Sequence, residues 1–358
     1  MPIDQNDFTQ NKCYGFEKLL TASRKDDVGK EDWLVTCKDI SLETDYDQSL
    51  GCWTYELVWH GGAVKRAKLT PFSFKQFCTK FKCPSKFMLQ LPGNIAKSNI
   101  DFFKMDVKED DLMLRVKKHP EGFHYIRGMV KPSVPVINNT DLLKAIQEPV
   151  NEHEMRVWKA HFRDHDFHAK LIYGDSVNIG TIQSPDNVNI GVHVANSEVG
   201  ARPLEIQVMV FRLICTNGMI HMIDGLPLFR KTSFNMTRED VELEVRNALK
   251  KVENRKEQIL GAFQDAATVQ IKAPYRVISA IGKQWKLSKG EVVAITDEFN
   301  RGKATGEYNW NKISILNSIT KVAQQYDAET RFTLENVAGQ FLADKNLIER
   351  VEVSLKKD

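Results

Sequence analysis

The 358-residue chain is poor in what most functional classes require. It has no apolar run near the ~18 residues of a membrane span. The longest candidate, Val208 to Cys215, is interrupted by Arg212. The opening Met-Pro-Ile-Asp-Gln-Asn-Asp has neither a basic stretch nor an apolar one, so the sequence reads as lacking a signal peptide. Six cysteines occur with no CxxC pair, which excludes a disulfide framework. Cys78 and Cys83 are too far apart in sequence for a zinc knuckle, and no second pair follows. There is no GxSxG elbow and no GxGxxG. Gly302-Lys303-Ala304-Thr305-Gly306 lacks the GxxxxGK order of a phosphate loop. No internal repeat or low-complexity stretch is present. The expectation is a cytoplasmic protein with no membrane partner, no cofactor and no catalytic centre.

What is present suits a folded, multidomain chain. Hydrophobic residues make up 42% and charged residues 27%, enough for a core and against disorder. The net charge of +3 conceals an asymmetry. Residues 1–50 carry 6 bases and 11 acids, whereas residues 226–290 carry 13 bases and 7 acids. Such a basic segment can form an anion-binding face or a solvated helix surface.

The patterning predicts an α+β fold in three parts. Residues 1–150 form a mixed domain. Within it Cys52 to Trp59 and Ala63 to Leu69 read as a hairpin, and Ser73 to Phe81 as an amphipathic helix with Phe74, Phe77, Cys78 and Phe81 on one stripe. A short helix follows Pro84, two strands span Leu112 to Val116 and Gly122 to Val130, and a helix starts at Asn139 and runs through Ile146. Residues 151–273 hold central antiparallel strands: Phe167 to Tyr173, Asn187 to Ala195, Leu204 to Cys215 and Met219 to Ile223. Asn217-Gly218 reads as the turn of the last hairpin. A single long basic helix then starts at Thr237, with Asp240 at capping-box spacing, and continues past Ile259. Residues 274–358 read as mainly helical.

Two groups of residues could carry function. A helix over residues 161–168 would place His161, His165 and His168 on one face, where paired imidazoles can hold a transition metal. The zincin pattern needs Glu directly after the first His, however, and Phe162 stands there, so surface or interface histidines are the simpler reading. The second group is basic: Arg202, Arg212, Arg230, Lys231, Arg246, Lys250, Lys251 and Arg255, with Phe229 and Phe234 flanking the Arg230-Lys231 pair. Cations that follow phosphates, beside rings that stack bases, are what single-strand binding requires, although such rings also serve as core. Arg212 interrupts an apolar strand and needs a buried partner or a ligand.

The segment Asn196-Ser197-Glu198-Val199-Gly200, followed by Val210-Phe211-Arg212-Leu213-Ile214-Cys215-Thr216-Asn217-Gly218, resembles the signature of a phage- and plasmid-borne protein family of unknown function. The signature residues are Asn196, Ser197, Gly200, Arg212, Cys215, Asn217 and Gly218. Gln76-Phe77-Cys78, Cys83-Pro84-Ser85-Lys86-Phe87 and Arg127 through Asn139-Thr140-Asp141-Leu142-Leu143 are similar to flanking parts of that family, so the likeness covers about residues 70–340. It implies a mobile-element origin and a bacterial host cytoplasm, and supplies no activity. Gly200 and Asn217-Gly218 also have a purely structural reading, as turns needing positive φ. The strands leading into a long basic helix resemble the core of single-strand annealing recombinases, which hold single-stranded DNA in a homo-oligomeric ring without a catalytic residue. The expectation is therefore a phage protein that binds single-stranded DNA and promotes annealing in recombination. The alternative is a non-catalytic factor that contacts a phage or host protein through its acidic head and exposed tryptophans.

Overall fold

Two six-stranded sheets organise the chain, and the fold is α+β. The computed structural model describes residues 13–105, 111–134, 136–178, 187–212, 217–221, 229–231 and 236–354. The first sheet contains β1 (Lys30–Thr36), β2 (Ile40–Asp47), β3 (Cys52–Trp59), β4 (Lys65–Leu69), β5 (Asp111–Lys118) and β6 (His124–Val130). Their spatial order is β1-β5-β6-β4-β3-β2, antiparallel except for the parallel β4–β6 pair. Period-two alternation sends Trp33, Val35, Leu57, Leu112, Leu114 and Val116 to one buried face. That face is covered by α2 (Pro71–Lys80), α3 (Ser85–Met88) and α4 (Gly93–Lys104). Pro71 starts α2 and Thr70 caps it through the Ser73 N–H, so Phe74, Phe77 and Cys78 turn inward. Lys97 and Lys104 of α4 donate to the carbonyls of Leu42 and Ile40, covering acceptors on the β2 edge.

The second sheet runs β11-β10-β9-β8-β7, with β7 (Arg156–Phe162), β8 (Phe167–Asn178), β9 (Asn187–Asn196), β10 (Leu204–Arg212) and β11 (Asn217–His221). A short β12 (Phe229–Lys231) pairs with the start of β10. One face presents Leu204, Ile206, Val208 and Val210. These pack in one core with α1 (Phe16–Asp26), α5 (Asn139–Glu152) and α6 (Arg238–Asn254). Each such side chain, fully removed from water, contributes roughly 1.5–3 kcal/mol. Two segments of the first 150 residues, α1 and α5, therefore share a core with the second sheet.

The C-terminal region is helical: α7 (Lys256–Thr268), α8 (Pro274–Gln284), α9 (Lys289–Ala304), α10 (Lys312–Ala323), α11 (Ala328–Ala343) and α12 (Leu347–Ser354). No helix among the described residues is long and apolar enough to cross a membrane.

Several local expectations change. The long basic helix keeps its Thr237–Asp240 capping box but breaks at Arg255, whose φ of −120° leaves the helical region. This break lets α7 pack against α10 and α11. The helix from Asn139 continues to Glu152, because Pro149 and Val150 are buried in the core. Asn217 and Gly218 are the first residues of β11, paired with Arg212 and Phe211, and so lie in a strand rather than at the turn. Residues 161–168 are a hairpin, closed by the Arg163 N–H bonding to the Asp166 carbonyl at 2.9 Å.

Candidate functional site

The Asn196–Gly200 segment joins the two sheets. It leaves the end of β9 and turns at Gly200, whose φ is +76°. Asn196 donates from Nδ2 to the Ile137 carbonyl and to Asn139 Oδ1, at 2.9 and 3.0 Å. Ser197 Oγ donates to the His165 carbonyl at 2.7 Å and accepts the Ala201 N–H at 2.8 Å. Glu198 Oε2 receives Arg127 at 2.6 Å and Lys30 at 3.0 Å, and Oε1 accepts the Asn139 N–H at 2.8 Å. Arg115 donates to the Glu198 carbonyl at 3.0 Å. Burial opposes the Glu198 charge, but Arg127 and Lys30 outweigh it and hold its pKa down to about 2. Three strands of the first sheet thus grip one loop of the second. The Asn-Ser-Glu-Val-Gly string is explained by these contacts without a ligand.

Beside this junction lies a cleft of about 1300 Å³. The end of α1 supplies Lys25, the β5–β6 hairpin supplies Lys117, Lys118, His119, Phe123 and Tyr125, and the β7–β8 turn supplies Arg163, Asp164 and His165. Four cations face two lining carboxylates, Asp26 and Asp164. Asp26 is held by Lys117 at 2.6 Å and Asp164 accepts the Tyr125 hydroxyl at 2.9 Å. Lys25 and Lys118 are exposed, and neither is paired with a carboxylate among the described residues. His119 stacks on Phe123 at 4.3 Å and 15°, with Lys68 Nζ over the Phe123 ring at 4.7 Å. On the opposite wall His165 stacks on Phe72 at 5.2 Å.

The second sheet's other face is polar, and α11 packs over it. Asp166 is held by Arg163 through two 2.5 Å bonds. Burial would raise the Asp166 pKa, but contacts with His168 and Arg163 hold the carboxyl well below its usual range. Arg202 donates to His168 Nε2 at 2.7 Å, and His168 Nδ1 lies 3.0 Å from His193 Nε2. Burial, seconded by Arg202, lowers His168 to about 4 and keeps it neutral. Lys170 pairs with Glu335 of α11 at 2.5 Å.

The structure separates the basic residues singled out in the sequence. Arg202 is built into the polar face, bonded to His168 and Glu205. Arg246 is neutralised by Glu242 of its own helix and by Glu148 and Glu152, which tie α6 to α5. Arg230, Lys231, Lys250 and Lys251 are exposed and Arg255 is half-buried. Arg212 closes β10, with its backbone paired to Val188 and Asn217. Cys215 and Phe234 lie outside the described residues. His161 and His168 face each other across the β7–β8 pair while His165 sits in the turn, and no group of three metal-ligating side chains occurs among the described residues. Trp33 is buried, and Trp53 and Trp59 pack against the first core, so these tryptophans are not an exposed contact surface.

Sequence reasoning missed the cleft, because its residues come from four separate segments. The one local signal was His119-Pro120-Glu121-Gly122 with Phe123 beyond it, a hairpin loop carrying two rings after two lysines. Comparisons with protein-family models, curated proteins and solved structures find no match.

Proposed function

We propose that the chain binds single-stranded nucleic acid without catalysis, and that the cleft between the sheets is where it does so. The observation that carries this reading is the stacked His119–Phe123 pair in a cleft where Lys25 and Lys118 are exposed and have no carboxylate partner among the described residues. Half-exposed rings can stack on bases of any sequence, and lysines track the phosphates. Arg230, Lys231, Lys250 and Lys251 form an outlying basic surface in this scheme. The chain then acts as a phage or mobile-element protein in the bacterial cytoplasm, with homo-oligomers aligning successive clefts to promote annealing.

The test is anisotropy of a labelled thymidine oligonucleotide. Lys118→Glu should weaken binding strongly, and the Lys250→Glu/Lys251→Glu pair less so. A larger loss in the Lys250→Glu/Lys251→Glu pair than in Lys118→Glu would place the interface on α6 instead, and no loss in either would overturn the reading.

A further inference from the structure

Strand β7 has a second charged face. Ala160 and Phe162 line the cleft, whereas Lys159 and His161 alternate to the opposite side. Lys159 is the cross-strand neighbour of Lys170, and His161 of His168. Lys170 is bound by Glu335, and Arg331 lies one turn before Glu335 on α11. Both Lys159 and Lys170 rest over the Trp158 ring, at 4.7 and 5.4 Å.

Among the described residues the cations here outnumber the carboxylates. The carboxylate beside Lys159 and Lys170 is Glu335, and Lys170 occupies both its oxygens at 2.6 and 2.5 Å. Among the described residues Lys159 has no carboxylate within ion-pair distance. Arg331 uses Nε and Nη2 on the carbonyls of Ala323, Gln324 and Tyr326, leaving Nη1 without a bond among the described residues. Burial, then Lys170 and Arg331, push the Lys159 amine down to about 8. Burial and the same cations push His161 down to about 4. Half-buried cations in this excess repel one another and favour a counter-anion.

We infer that Lys159, His161 and Arg331 form a binding site for a phosphate-class oxyanion, on the face of β7 opposite the cleft. Lys159 and the free Arg331 Nη1 supply charge-assisted donors, and neutral His161 donates one ring N–H. Lys170 stays with Glu335 behind them. The site is separate from the proposed nucleic-acid cleft and stands without it.

Thermal unfolding in sodium phosphate against sodium chloride, at pH 7 and matched ionic strength, tests the assignment. The wild-type melting temperature should rise further in phosphate. Lys159→Gln should melt higher than wild type in chloride, since a repulsive charge is gone, and should lose the phosphate-specific rise. Lys118→Gln, in the cleft, should keep it. An equal rise in both salts for wild type, or a full phosphate rise retained by Lys159→Gln, overturns the site; so does its loss in Lys118→Gln. Oligonucleotide affinity of Lys159→Gln then separates the sources. About a tenfold loss assigns the site to backbone phosphodiesters, and unchanged affinity to free phosphate, either one alongside the phosphate-specific rise.

Discussion

Arg127 Nη1 donates to Glu198 Oε2 at 2.6 Å, with both side chains almost wholly shielded from water. The bond crosses from the first sheet to the loop that leaves the second. Glu198→Gln removes the negative charge and leaves Arg127 and Lys30 without their shared partner. Breaking a buried pair from one side costs about 3–5 kcal/mol. Urea unfolding should show a lower midpoint by a corresponding amount.

Acid should destabilise the protein in two windows. His161 and His168 are each held at about 4, below the ordinary histidine value. The unfolded chain then binds more protons than the folded one as pH falls from ~6.5 toward 4, so stability drops across that range. Glu198, held down to about 2, contributes stability present above its unfolded pKa of ~4.3 and lost as pH falls toward 2. Melting temperature against pH should fall in the first window, and His168→Gln should flatten that part of the curve.

The approach of the sheets also has a steric test. A Cβ on Gly128 would lie 2.4 Å from the Val199 Cβ and 3.0 Å from Gln76 Oε1. Gly128→Ala must push the loop away and disturb Gln76, which bridges the Val199 carbonyl and the Met129 N–H. Overpacking of this kind costs typically 1–3 kcal/mol, measurable as a lower urea midpoint.

Much of the fold was legible because it is local. The α2 stripe of Phe74, Phe77 and Cys78 and the Thr237–Asp240 capping box depend on neighbours a few residues away. Strand β7 was missed: its Lys159 and His161 face a polar layer covered by α11, so no apolar alternation marks it. The site was less legible than the fold. Lys118 and Phe123 come to line one cleft with Lys25 and Arg163 only where the sheets meet, a junction to which the Arg127–Glu198 pair belongs. Arg246 looked like a phosphate ligand until α5 brought two carboxylates to it.

Phe123 offers a direct check on stacking. Phe123→Ala removes the ring on which His119 lies and over which Lys68 sits. Loss of one base-stacking platform costs about 1–3 kcal/mol, so oligonucleotide affinity should fall roughly 5- to 150-fold. The half-exposed position leaves folding nearly intact, which a thermal melt verifies.

The measurement closest to the central claim is the affinity of wild-type protein for a thymidine oligonucleotide as salt rises from ~50 to ~200 mM. Binding through lysines that displace counterions predicts a linear fall of log affinity with log salt, with a slope of about −0.7 per phosphate contacted. That slope should become shallower in Lys118→Gln. Absence of binding at the lowest salt, or an affinity that does not change across the range, would contradict the account.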